Sequence, residues 1–140
     1  MNWIPILAVL AFTCAAADLD SIKAEPDADK RSEHALDHAE TALSKARDDY
    51  SSGEYKRALQ GVSEVSAAVE LAQSSLQASG KSPRRSKYYK RAELRLRTLS
   101  RRLNDFARDA AVDDRPIIEK AAAFVSRVHD DTLEQILEKK

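Results

Sequence analysis

The chain has 140 residues, enough for one domain with a single continuous core. Hydrophobic residues make up 43% and charged residues 33%, with only three Gly and four Pro, a composition that suits long helices and leaves little material for sheets. Acidic and basic residues balance at 23 each, which excludes a global field drawing the protein to nucleic acid or membrane; any electrostatic preference must be local.

Residues 1–17 differ from everything after them. Ile4 to Phe12 is an apolar run broken only by Pro5, and Ala15, Ala16 and Ala17 supply the small residues of a signal-peptidase site. This predicts an exported protein, periplasmic or secreted, although no Lys or Arg precedes the run. The segment is shorter than the roughly 20 apolar residues of a membrane-spanning helix, so none is expected in the mature chain. Cys14 is the sole cysteine, and its neighbours Ala11, Phe12 and Thr13 match a lipid-anchoring sequence poorly. After cleavage the chain would have no cysteine and would be held by packing alone.

Residues 18–29 are acidic, contain Pro26 and show no apolar period; the expectation is a flexible, disordered acidic leader. Residues 30–140 then form the helical domain. A first long helix begins near Pro26 to Asp29 and presents Leu36, Ala39, Leu43, Ala46 and Tyr50. Ser51 and Glu54 have the spacing of a capping box at the start of the next helix, around a tight turn containing Gly53. That second helix carries a seam of Tyr55, Ala58, Leu59, Val62, Val65, Val69, Ala72 and Leu76.

Gly80 and Pro83 end it. A third helix begins between Pro83 and Lys87, with Tyr89, Ala92, Leu96, Leu99, Leu103, Phe106 and Ala110 on one face. Asp113, Asp114 and Pro116 stop it and open a fourth, whose apolar face is Ile118, Ala121, Ala122, Val125, Val128, Thr132 and Ile136, with Lys139 and Lys140 at its negative end. Matched helices of roughly 35 to 39 Å and short connections predict an all-α antiparallel up-down four-helix bundle made of two αα-hairpins.

The run Tyr50-Ser51-Ser52-Gly53-Glu54-Tyr55-Lys56-Arg57-Ala58-Leu59 resembles the turn between the two helices of a tetratricopeptide repeat. The resemblance implies close helix approach at the glycine, an aromatic filling the pair's interface and, in stacked repeats, a peptide-binding groove. It covers this turn only, and no second copy follows at a period of about 34 residues.

Candidate chemistry is sparse. His34 and His38 stand four apart on one helix, a spacing that can clasp Zn²⁺ from one face, though both are expected on the solvent side and a closed site needs ligands from elsewhere. Asp37 between them occupies the place of the glutamate in the inverted zinc-protease motif, which the string resembles faintly. His129 lies on the core side of the last helix beside Asp130, a dipeptide also found in larger metal-dependent phosphohydrolases; a boundary histidine with a satisfied nitrogen is the simpler reading. Nucleophile settings and phosphate-binding glycine loops are missing, so neither a catalytic residue nor a cofactor is predicted.

Charge is segregated. From Lys81 to Arg102 there are ten Lys or Arg against Glu93 alone, whereas residues 18–50 hold ten acids and five bases. Lys90, Arg97, Arg101 and Arg108 fall away from the third helix's apolar seam, with Arg84, Arg85 and Lys87 at its start and Tyr88 and Tyr89 alongside. This stripe either holds phosphate or carboxylate groups of a partner or pairs with the acidic faces of neighbouring helices. The sequence thus predicts an exported, non-enzymatic bundle that binds another protein; an anionic surface or polymer bound through residues 81–102, or a metal at His34 and His38, are the alternatives. Export speaks against nucleic acid.

Overall fold

The computed structural model describes residues 14–138, all helix and turn: α1 (Cys14–Lys23), α2 (Ala28–Ser51), α3 (Tyr55–Ala78), α4 (Lys87–Asp109) and α5 (Arg115–Leu137). Most of the expected export signal, residues 1–13, and the two lysines at 139 and 140 lie outside the described residues.

The leader departs from expectation. Instead of lacking structure it is helical up to Lys23, with Leu19 and Ile22 half-buried against the core. These two apolar residues, three apart, share one helical face, and that is enough to seat a short helix against α2 and α3 despite Asp18 and Asp20. Arg31 ties down the following turn, donating from Nη1 to the Glu25 carbonyl at 2.8 Å and from Nε to Ser75 Oγ of α3 at 2.9 Å.

Asp27 caps α2, its carboxylate accepting from the amides of Asp29 and Lys30 at 3.0 and 3.2 Å. The expected capping box at Ser51 and Glu54 does not form. Ser51 stays inside α2, and Glu54 makes no side-chain cap. The backbone closes the turn instead: Gly53, at φ +85°, donates to the Tyr50 carbonyl at 3.1 Å, and Glu54 donates to that of Asp49 at 2.8 Å. This is a Schellman ending, which satisfies the last carbonyls of α2 without help from a side chain.

α2 and α3 are the most closely packed pair. Alanines on α2 and Gly61 on α3 bring the backbones together; a Cβ built on Gly61 would lie 3.0 Å from the Cβ of Ala46. Tyr55, expected in the seam, is instead 53% exposed, because its ring meets Tyr50 edge-on, centroids 4.8 Å apart, at the rim of the bundle. Ser86 caps α4 by accepting from the amides of Tyr88 and Tyr89. All seven residues expected on α4's inner face are buried, as are Ile118, Ala121, Ala122, Val125, Val128 and Thr132 of α5.

Each hairpin is antiparallel, as expected, but the hairpins meet in another way than a simple up-down order implies. α2 lies beside α4 and α3 beside α5, while the sequential pair α3 and α4 makes no comparable contact. The α2–α4 contacts advance together along both helices, from Glu33–Arg91 through Glu40–Arg95 and Ser44–Arg102 to Arg47–Asp109, so these neighbours run parallel. Residues 79–86 therefore cross one end of the bundle from corner to corner, held there by an ion pair between Lys81 and the buried Asp29. Carboxylates on α2 meet arginines on α4 along this contact.

Candidate functional site

α4 sorts its charges by helical angle. Toward α2 it turns Arg91, Arg95 and Arg102. Arg91 meets Glu33 at 2.8 Å, Arg95 meets Glu40 at 2.9 Å and also Asp37, and Arg102 donates to Ser44 Oγ at 2.9 Å. Partial burial works against the Arg95 charge, yet its hydrogen bonds to Glu40 and Asp37 prevail and hold its pKa above the ordinary value. Arg91 and Arg95, two of the ten cations from Lys81 to Arg102, are thus paired with carboxylates of α2.

The outward row is different. Lys87, Lys90, Arg97, Arg101 and Arg108 are all exposed, as are Arg84 and Arg85 in the preceding loop. Arg97 pairs with Glu93 and Arg108 with Asp105, both on the same helix. Among the described residues, Arg84, Arg85, Lys90 and Arg101 form no ion pair, nor does Lys87, whose Nζ stands 5.2 Å above the Tyr88 ring. Lys81 Nζ and the Arg91 guanidinium crowd the same ring at 5.2 and 5.9 Å. Leu94 interrupts the row with 57% of its surface exposed. Tyr89, the partner of Tyr88 in sequence, packs inward and is buried.

Glu93 does not belong to that surface. It is 6% exposed and lies between α4 and α5, where Oε1 faces His129 Nε2 at 2.8 Å. His129 Nδ1 in turn faces Asp130 Oδ1 at 3.0 Å. Burial opposes the carboxylate charge, but hydrogen bonds from His129 and Arg97 prevail, and the Glu93 pKa falls below the ordinary value. Sequence reasoning placed His129 at the core boundary but missed its partner; the available signal was an acid one position from Ala92, on the buried side of an otherwise basic segment.

His34 is exposed, as expected. His38 is not on the solvent face: it is half-buried, and its Nε2 is buried without a hydrogen-bond partner. Among the described residues no group of three or more His, Cys, Asp or Glu is arranged to hold a metal. A metal at this pair would need ligands other than the described residues.

A groove of about 690 Å³ between α3 and α5 is lined by Val62, Ala67, Glu70, Phe124, Arg127 and the half-exposed Ile117. No described helix is long and apolar enough to cross a membrane. The chain matches no protein-family model, and no curated protein or solved structure shows significant similarity to it.

Proposed function

We propose that this chain is an exported, non-enzymatic binding protein that holds an anionic partner on the outward face of α4. One observation carries the reading: the arginines turned toward α2 have carboxylate or hydroxyl partners, whereas Arg84, Arg85, Lys87, Lys90 and Arg101 are exposed cations without an acid among the described residues. Guanidinium and ammonium groups set along one helical edge suit multidentate recognition of phosphate or carboxylate.

Export rests on the apolar run Ile4 to Phe12 and the small residues Ala15 to Ala17. Cleavage after Ala17 would leave Leu19 and Ile22, the α1 residues packed on the core, in the mature chain. Mass spectrometry of the exported product tests this directly; an intact N-terminus would remove the export half of the proposal.

The binding half is tested by retention on an immobilised carboxylate or phosphate resin. The wild type should be held at low salt and released at high salt, and the combined variant R84Q/R85Q/K90Q/R101Q should elute early while keeping its helical circular dichroism. Equal retention of the two would sink the reading. A protein partner in the α3–α5 groove is the second reading, favoured by the exposed Ile117 and the adjacent Phe124; a cross-linking partner that survives high salt and is lost in F124S would select it.

A further inference from the structure

Resting on that reading, we infer that the anionic partner is a phospholipid bilayer rich in anionic headgroups. Charge alone would suit any polyanion. The discriminating residue is Leu94. It is 57% exposed on the same outward face as Lys90, Arg97 and Arg101, with no described neighbour to cover it. A hydrated polyanion offers a leucine nothing, whereas the boundary between headgroups and acyl chains takes up an apolar side chain while nearby cations meet phosphate.

Lysine and arginine stems are long enough to lie along an apolar layer while their charges stay in water. From Lys81 to Arg101 the only acid is Glu93, which is buried against His129 and cannot repel headgroups from the surface. The strip from Lys87 to Arg101 is about 21 Å long at 1.5 Å per residue, so several headgroups can be met at once.

The experiment uses the processed full chain and two kinds of vesicle, one of phosphatidylcholine alone and one of equal parts phosphatidylcholine and phosphatidylglycerol, with dissolved polyglutamate as a second anion. Cosedimentation is expected with the anionic vesicles at low salt, with release at high salt and none with phosphatidylcholine alone. Each neutralised cation should weaken partitioning about fivefold, so R84Q/R85Q should lose about 25-fold. L94Q should weaken vesicle binding about three- to tenfold and leave polyglutamate binding unchanged. Polyglutamate binding without vesicle binding, or vesicle binding indifferent to L94Q, overturns the bilayer inference and leaves the anion reading standing. Failure to bind either anion overturns both. All three substituted positions are exposed, so loss of the fold does not complicate the outcome.

Discussion

His129 is gripped by two carboxylates at once: Glu93 Oε1 lies 2.8 Å from Nε2 and Asp130 Oδ1 lies 3.0 Å from Nδ1. Arg97, on the same helix as Glu93, also pairs with that carboxylate. α4 and α5 are therefore joined at this point by a polar contact inside an otherwise apolar seam.

The first prediction is acid sensitivity. Glu93's carboxyl is held below its ordinary value of 4.5. A depressed pKa contributes stability that is complete above the unfolded-state value and is lost as pH falls through the folded-state value. Thermal scans of wild type and Glu93→Gln should therefore differ most at neutral pH, and the gap should shrink once pH drops below about 4.5. A constant gap down to strongly acidic pH would contradict the pairing.

Tyr50 closes the opposite end. Its hydroxyl donates to Asp114 Oδ2 at 2.9 Å and accepts from the Ala111 amide at 2.8 Å, so one phenol joins the first hairpin to the turn of the second. Tyr50→Phe should cost about 1 kcal/mol in urea unfolding, the net worth of an ordinary hydrogen bond, since the exposed Ala111 amide can turn to water. An unchanged midpoint would show that Asp114 and Ala111 find other partners.

Gly61 is a packing prediction. With Ala46 Cβ only 3.0 Å from where a Cβ would stand, a branched side chain must push α2 and α3 apart. Gly61→Val should lower stability by about 1 to 3 kcal/mol, even though glycine is the poorer helix former. A raised melting temperature would mean that helix propensity outweighs the steric clash.

Val65 and Leu99 have no exposed surface. An aspartate at either position would be an unpaired charge in the core, costing several kcal/mol from a total of about 5 to 15. Loss of a sharp thermal transition is expected for Val65→Asp and for Leu99→Asp; a wild-type-like transition would contradict the assigned faces.

The inner faces of α4 and α5 were legible because large apolar residues there recur every three or four positions, a local pattern that survives any arrangement of neighbours. What was not legible depended on distant or ambiguous signals. α1 announces itself only through Leu19 and Ile22, too few to register against an acidic background. The three-residue spacing of Ser51 and Glu54 fits a helix start, yet the same residues flank a helix end once Gly53 adopts positive φ. The parallel placement of α2 and α4 brings Glu33, Asp37 and Glu40 to Arg91 and Arg95 across more than fifty residues of chain, a pairing no local pattern announces. For the site, helical angle alone identified Lys90, Arg97, Arg101 and Arg108 as outward. It could not say which cations already had partners, nor single out Leu94.

The corner-to-corner passage of residues 79–86 is the only covalent link between two halves that share one interior. Split there, the chain would yield two separate peptides, each with an oily side that the other was shaped to cover. Mixed in equal amounts, they should reassemble into a non-covalent heterodimer, whereas either fragment alone should precipitate or associate with itself.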